Sequence, residues 1–405
     1  MRSRIPFLHY WHPLTALIVA GVLSAAYFGL TGTVWAVTGE FTRLGGQLLH
    51  VMGIDTTGWA YYNLVKLDGN TLMRGDGWIV WGMFTGALIM VLLNDNFKIR
   101  LPQLRRRWAQ ALVGGIVAGF GARMAMGCNL AAFFTGVPQF SVHAWVFIVG
   151  TGIGSFFGTR LITLRWWKGR PTLLKGKGSP STRPSRRIQP VVGVLLAVAY
   201  VSLVVYFFAS GQNRLGLGAL FGALFGILIE RGQICFTSAF RDLWMMGRAV
   251  MAKAIIAGMA ISAVATIAII VIFGTSPITQ VVAPSTFVGG VLFGVGIVMA
   301  SSCETGMMYR LMEGQLMYVA VFAGNIIGAT LLAYAWDHLG IYDALVASGA
   351  KVNLHNYTGA WGAITITLLL LGLFYAYVAF RQSRQTASRT TSPRSSALGA
   401  QDYAS

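Results

Sequence analysis

Ten apolar runs, separated by short polar segments, constrain this 405-residue chain more than any other feature. They lie at about 14–37, 77–94, 109–127, 143–164, 190–210, 215–230, 249–273, 285–301, 315–336 and 358–380. About 20 apolar residues span the hydrocarbon core of a bilayer. Only 11% of the residues are charged, against about 25% in a soluble domain. The sequence therefore predicts an all-α polytopic membrane protein with about ten transmembrane segments.

The net charge of +19 is concentrated between and beyond the apolar runs. Of the 31 Lys and Arg residues, 19 fall in the segments 2–4, 98–107, 165–187 and 381–394. With ten crossings, all four segments lie on one side of the membrane, which the positive-inside rule assigns to the cytoplasm. This distribution predicts that both termini are cytoplasmic, and it argues against binding of nucleic acid.

Composition also divides the chain into four parts. We expect an N-terminal membrane half (1–164), a basic cytoplasmic linker rich in Pro, Gly and Ser (165–189), and a C-terminal membrane half (190–380). The Ser-, Thr- and Arg-rich segment 381–405 is expected to be a disordered cytoplasmic tail.

Gly-rich apolar segments of one pattern recur in both halves. Gly114–Gly136 reads GGIVAGFGARMAMGCNLAAFFTG, and Gly289–Gly314 reads GGVLFGVGIVMASSCETGMMYRLMEG. A looser copy, Gly216–Phe236, also ends near a cysteine, whereas its echo Gly77–Phe97 has none. Similar motifs that run in opposite directions are typical of inverted repeats, which bind solutes where helices are broken. We therefore predict two pseudo-symmetric halves with Gly-rich broken or re-entrant helices, and the GxxxG spacings predict close helix packing.

The three cysteines, Cys128, Cys235 and Cys303, are candidates to line a solute path. A free cysteine most often packs as a small apolar residue, but three at the same place in a repeat favour a function. A neutral thiol is a weak hydrogen-bond donor, which suits a soft anion that contains sulfur or selenium. The order of the crossings predicts Cys128 toward the outer side and the other two toward the inner side.

Polar and ionisable residues beside the cysteines extend the candidate site. They are Arg123, Asn129, Arg231, Ser302 and Glu304. Ionisable residues at membrane depth are costly and usually functional. Arg123 lies within an apolar run, where it would attract an anion or pair with a distant carboxylate. Arg231 has an alternative role, because it can pair with the adjacent Glu230 at a helix end.

Two other functions fit parts of the sequence. A membrane thiol redox enzyme would need two cysteines brought together by folding, because paired thiols carry out disulfide exchange. A Cu(I) transporter would use the methionines near Cys128 and Cys303, since Cys and Met are soft ligands. The histidines are scattered, no CxxC occurs, and the GxxxxGK[ST] nucleotide motif is absent. We therefore predict no cofactor and no metal site.

The cysteine segments resemble those of the YeeE/YedE family of bacterial inner-membrane proteins. The motifs are GFGARMAMGCNLAAFFTG, RGQICFTSAFRD and SSCETGMMYRLMEG, and the resemblance covers about residues 75–375. It implies a bacterial inner-membrane location and a transporter rather than an enzyme. The family includes thiosulfate transporters, in which cysteines line an hourglass-shaped pathway and pass the anion along by S–H hydrogen bonds. By motif match, Cys128, Cys235 and Cys303 would be path residues.

The two-half form with ARMAMGCN and a basic central linker is more similar to the YedE branch, which is linked to selenium metabolism. This resemblance implies a small selenium- or sulfur-containing inorganic solute. It also implies a small cytoplasmic sulfur-carrier protein of the TusA type as a partner. The missing cysteine in Gly77–Phe97 puts a symmetric path of four thiols in doubt.

Overall fold

The computed structural model describes residues 9–67, 69–168 and 188–390, with side chains up to 384 in the last helix. The helices follow in chain order: α1 (Pro13–Thr31), α2 (Thr38–Val51), α3 (Ala60–Leu64), α4 (Gly75–Leu93), α5 (Arg105–Met124), α6 (Val142–Thr163), α7 (Arg165–Lys168), α8 (Ile188–Ala209), α9 (Asn213–Arg231), α10 (Phe236–Met246), α11 (Val250–Phe273), α12 (Pro284–Met299), α13 (Glu304–Met312), α14 (Met317–His338), α15 (Ile341–Leu345) and α16 (Leu354–Thr390). A 3-10 turn covers Thr71–Met73, and a π-helix covers Asn129–Phe134. Two short strands, β1 (Val281–Val282) and β2 (Ala350–Lys351), pair antiparallel. The fold is all-α, as predicted.

Every predicted apolar run coincides with a long helix: α1, α4, α5, α6, α8, α9, α11, α12, α14 and α16. Among the described residues, nine stretches are long and apolar enough to cross a membrane, and two of these join α9 to α10 and α12 to α13. The remaining long helix, α5, has arginines at both ends, which lower its hydropathy. The prediction of a polytopic membrane protein is confirmed.

Local sequence sets the limits of these helices, and α1 shows how. Pro13 occupies its first turn, where the missing N–H costs nothing. The His12 side chain accepts a hydrogen bond from the Leu14 N–H at 3.3 Å. Gly32 ends the helix with a φ of 68°, a left-handed conformation that favours glycine.

Glycine lets the long helices approach to backbone contact. A Cβ on Gly222 of α9 would lie 2.6 Å from the Ile79 carbonyl oxygen of α4. The same distance would separate a Cβ on Gly115 of α5 from the Val321 carbonyl oxygen of α14. A Cβ on Gly150 of α6 would lie 2.7 Å from a carbonyl oxygen of α12. Real Cβ contacts are longer, so the GxxxG spacings serve packing, as predicted.

Helices of the N-terminal part of the chain pack mainly against helices of the C-terminal part. The most extensive packing joins α4 to α9, α5 to α12 and α14, α6 to α12, and α1 to α11. If α5 corresponds to α12 and α6 to α14, the contact of α5 with α14 is equivalent to the contact of α12 with α6. Two related halves would produce such equivalent contacts. It supports the two-half hypothesis, and the boundaries at 164 and 190 stay a prediction.

The predicted linker and tail fall largely outside the described residues. Of the linker 165–189, residues 169–187 lie outside them, and α7 occupies the first four positions. Helix α16 continues to Thr390, so the predicted tail boundary at 381 falls within a helix. Gly359, with a φ of 67°, interrupts α16 near its start. The tail beyond residue 390 is outside the described part.

Candidate functional site

Each cysteine is the residue immediately before a short helix. Cys128 precedes the π-helix, Cys235 precedes α10, and Cys303 precedes α13. All three have extended backbones, and none uses its side chain to cap the helix that follows. The predicted helix breaks are therefore present. At each break, the cysteine side chain forms no hydrogen bond that caps the next helix. All three side chains are at least 98% buried, since their exposures are 0%, 2% and 1%.

The same backbone turn positions all three cysteines. Two residues before each cysteine, Met126, Gln233 and Ser301 have left-handed conformations, with φ of 57°, 48° and 62°. The N–H of each of these residues bonds the carbonyl three residues earlier, at 3.1 to 3.3 Å. A non-glycine residue in this conformation costs on the order of 1 kcal/mol. Such a cost is typically retained at functional positions, because it fixes where a side chain lies.

A fourth copy of this turn ends α4, but it carries no thiol. Asp95 is left-handed with a φ of 55°, and Phe97 occupies the position that corresponds to cysteine. The Phe97 N–H donates to Gln189 Oε1 at 3.2 Å instead of starting a helix. The segment Gly77–Phe97 therefore repeats the backbone turn of the cysteine segments, with phenylalanine in place of cysteine.

Cys235 and Cys303 form a close pair. Their Sγ atoms are 4.0 Å apart. The Phe236 N–H donates to Cys303 Sγ at 3.2 Å, and the Thr305 hydroxyl lies 3.1 Å from the same sulfur. Gly306 of α13 lies against the pair, since a Cβ there would be 2.7 Å from Cys235 Sγ. Folding thus joins two thiols that lie far apart in sequence.

Cys128 has different neighbours, and one of them, Thr38, also contacts a buried arginine. Its thiol lies near the Thr38 hydroxyl and near the first residues of the π-helix, without a hydrogen bond that caps this helix. Arg123 Nη1 is 3.5 Å from Thr38 Oγ1, and the guanidinium lies 5.4 Å from the centre of the Tyr61 ring. Within the described ranges, no carboxylate is within ion-pair distance of Arg123. Thr38 therefore connects the Cys128 thiol with a buried guanidinium group.

Several buried polar atoms at the three helix starts have no hydrogen-bond partner. Both amide atoms of Asn129, the Thr237 hydroxyl and Oε1 of Glu304 are in this state. These residues are 1%, 0% and 2% exposed. A buried polar group without a partner costs about 1–3 kcal/mol. Groups retained at such a cost are suited to meet a polar ligand that the protein alone does not supply.

The other two predicted site residues are engaged within the protein. Ser302 donates from its hydroxyl to the Cys303 carbonyl at 3.0 Å, which supports the backbone at that cysteine. Arg231 forms an ion pair with Glu230 and lies 4.9 Å from the centre of the Tyr10 ring. That pair, foreseen at a helix end, is fully buried within the protein. The structure thus pairs Arg231 with Glu230. Asn129, Ser302 and Glu304 lie at the helix starts, whereas Arg123 lies in the last turn of α5.

Three residues beyond the eight predicted site residues belong to this arrangement. They are Thr38, Thr237 and Gly306. Thr38 comes from α2, which no motif connects with Cys128. Gly306 is one glycine among 50 in the chain, and its contact with Cys235 is a tertiary feature. Only Thr237, two residues after a cysteine, carried a signal in the sequence.

A cavity of about 700 Å³ lies against the short helices that follow Cys128 and Cys235. It is lined by apolar residues of the π-helix, α6, α10, α11 and α16, including Phe133, Phe156 and Phe240. None of the three cysteines lines it. In the part of the chain that the structure covers, no group of three His, Cys, Asp or Glu residues is placed to hold a metal ion.

Comparison with known proteins matches the arrangement to named transporters. The chain is 50% identical to "Probable transporter YedE" of Salmonella typhimurium over 369 residues, which is 90% of each chain. It is 48% identical to the protein of the same name from Escherichia coli, with the same coverage.

A more distant match links the chain to a second group of transporters. The chain is 32% identical to "Thiosulfate transporter TsuA" of Escherichia coli over 156 residues, which is 38% of this chain and 41% of that protein. All these names are those of transporters, in agreement with the prediction of a transporter rather than an enzyme. The family model described as "Sulphur transport" matches residues 3–157 and 231–402. The chain therefore belongs to the sulphur transport family of membrane proteins.

Proposed function

We propose that this protein passes a small sulfur- or selenium-containing anion across the bacterial inner membrane, past Cys128 and then past Cys235 and Cys303. The observation that carries the proposal is the set of three buried thiols, none of which caps its helix. Around them lie polar atoms that have no partner in the protein. An anion in transit would supply that partner.

The chemistry of these groups suits a soft anion that must not be held tightly. A neutral thiol is a weak donor and a polarizable neighbour. The Asn129 amide and the Thr237 hydroxyl can donate to oxygen atoms of the anion and so replace part of its hydration. Weak donors placed in succession favour movement, because no single site holds the ion strongly.

Arg123 supports a direction for this path. Its guanidinium, Thr38 and Cys128 together offer a positive charge, a hydroxyl and a thiol. With ten crossings and cytoplasmic termini, Cys128 lies toward the outer side, so an incoming anion meets this group first. Reporter fusions at residues 165–187 test that orientation, since a periplasmic signal from this segment contradicts it.

The names of the relatives support sulfur as the first element to test. TsuA is named for thiosulfate, whereas the YedE proteins are named only as transporters. Thiosulfate and selenite are therefore the two probes of choice. We also propose a small cytoplasmic sulfur-carrier protein of the TusA type as a recipient, and co-purification from membranes with and without thiosulfate tests this partner.

The decisive experiment measures uptake of labelled thiosulfate and labelled selenite by liposomes that contain the purified protein. We expect Cys128→Ala, Cys235→Ala and Cys303→Ala each to lower uptake by about tenfold or more, the effect of losing about 1.4 kcal/mol. Thr367→Ala, a truncation of a fully buried residue of α16, is the matched control. Wild-type uptake by all three cysteine variants would exclude the thiol path.

A further inference from the structure

Glu304 is a buried carboxyl group with one free oxygen at the meeting point of the cysteine turns. It is the first residue of α13, directly after Cys303, and it is 2% exposed. Its Oε1 has no hydrogen-bond partner. Across residues 9–67, 69–168 and 188–390, no Lys, Arg or His lies within ion-pair distance of it.

Three thiols lie in the neighbourhood of this carboxyl group. The Glu304 carboxyl is within electrostatic range of the Cys128, Cys235 and Cys303 thiols. It is therefore the acidic group that all three thiols share.

The other charges near α13 are engaged elsewhere. The elements packed against α13 are α4, α9, α10 and α14. Their titratable and charged groups, with those of α13 itself, are Asp76, Arg214, Glu230, Arg231, Arg241, Asp242, Tyr309, Arg310, Glu313, Tyr318, Tyr334, Asp337 and His338. Glu230 pairs with Arg231, and Asp242 pairs with Arg241. Arg310 donates to the Ser301 carbonyl at 3.0 Å and to the Tyr318 hydroxyl at 2.8 Å, and it forms no ion pair with Glu304.

Burial without a nearby cation favours the protonated form of the Glu304 carboxyl group. An ionised carboxylate in a medium of low polarity is costly unless a cation or several donors compensate it. Here one oxygen has neither, which favours the protonated form of the carboxyl group. An anion beside Glu304 also favours its protonated form, because like charges disfavour ionisation. In addition, a carboxylic O–H can donate a hydrogen bond to an anionic oxygen.

We propose that Glu304 is a proton-binding site whose protonation is linked to the presence of the anion, so that a proton enters with it. This inference rests on the proposed function, since it concerns the same path. The linkage is reciprocal: a protonated Glu304 strengthens anion binding, and a bound anion strengthens proton binding. No covalent bond changes, because the proton arrives from water on one side and leaves to water on the other.

The sign of the pH dependence follows from this linkage. Transport needs the protonated form, so it is fully active at low pH and declines as the pH rises through the titration of Glu304. Beyond that titration, each further pH unit lowers the protonated fraction by about tenfold. Thiosulfate is the suitable probe, because it keeps both of its charges over this range and its own titration does not obscure that of the protein.

The test compares wild type with Glu304→Gln in liposomes loaded with a pH-sensitive dye. For wild type we expect labelled thiosulfate uptake to fall by about tenfold between about pH 6 and about pH 8, with acidification of the lumen during uptake. For Glu304→Gln, which keeps a neutral donor of the same shape, we expect uptake that varies by less than about twofold over this range and no acidification. Glu313→Gln is the control and keeps the wild-type profile, because Gln233 and Gln315 already bond that carboxylate.

A second measurement needs no variant. Binding of thiosulfate to detergent-purified wild type in weakly buffered solution should take up a proton above the titration of Glu304, which a pH indicator detects. Uptake without pH dependence, or the same dependence in Glu304→Gln, would overturn the inference and leave the proposed transport intact. Absence of both thiosulfate and selenite uptake at every pH would instead overturn the proposed function, and the inference with it.

Discussion

The Sγ atoms of Cys235 and Cys303 lie 4.0 Å apart, although the two residues begin different helices. This separation is a van der Waals contact between two thiols, and it is too long for a disulfide, whose sulfurs lie about 2 Å apart. Two thiols in contact can share one anion between them. The same closeness makes the pair sensitive to oxidation, since a modest approach of the two helix starts would allow a bond to form.

Mild oxidation should cross-link Cys235 to Cys303 and block transport. The bond would remove both S–H donors and tie α10 to α13. We expect wild-type uptake to fall by at least about tenfold after oxidation and to recover with dithiothreitol, with the cross-linked peptide identified by mass spectrometry. Cys128→Ser should keep this sensitivity, whereas Cys303→Ser should lose it. A cross-linked protein with unchanged uptake would show that the pair does not lie on the path.

Removal of the charge at Arg123 should weaken recognition of the anion. We expect Arg123→Gln to raise the KM for thiosulfate by about tenfold, equivalent to about 1.4 kcal/mol, with a smaller change in the maximal rate. Arg123→Lys should recover part of the affinity, because it restores the charge without the planar fork. Arg160→Gln is the control, since Arg160 lies over Phe156 on α6. Equal KM values for wild type and Arg123→Gln would exclude a role in recognition.

Replacement of Thr237 by valine should separate stability from function. The hydroxyl is fully buried and has no partner, so its removal relieves a desolvation cost of about 1–3 kcal/mol. We expect Thr237→Val to unfold at the same or a higher temperature in detergent while its thiosulfate uptake falls. A lower unfolding temperature with normal uptake would show that the hydroxyl serves only the fold.

A methyl group at Gly306 should disturb the thiol pair. The added Cβ would lie 2.7 Å from Cys235 Sγ and would also meet the Ser302 hydroxyl. Overpacking of this kind costs about 1–3 kcal/mol, and we expect Gly306→Ala to lose most of its uptake. Gly372→Ala on α16 is the matched control, because a Cβ there meets nothing within 4 Å. Uptake at the wild-type level in Gly306→Ala would exclude a tight fit around Cys235.

Sequence reasoning was sufficient for the features that depend on composition and local pattern. Hydropathy located the ten long helices, because burial in lipid demands continuous apolar sequence. The Gly-rich repeats indicated where helices break, and a cysteine lies at three of these breaks. Cys128 was chosen for its place in a Gly-rich repeat, and Asn129 and Glu304 because each lies beside a cysteine; their role on a path stays a prediction.

The remaining features depend on tertiary contacts that no local pattern encodes. Met126, Gln233 and Ser301 share a left-handed backbone, yet three different side chains carry it, so residue type gives no signal. The contact of Cys235 with Cys303 joins distant segments. Arg231 pairs with Glu230, which the sequence offered as one of two alternatives, and a role of Arg231 on the path stays a prediction.

The glycine contacts between the long helices limit how this protein can move. Where backbones touch, as between Gly222 and Ile79 or between Gly115 and Val321, there are no long side chains to re-pack when one helix slides past another. Rocking of one half against the other, as in many carriers, would have to separate these interfaces along most of their length. Under the proposed function, we therefore expect the alternation between outward and inward access in the short elements that follow the cysteines. A gate of that size would open and close without disturbing the membrane around it.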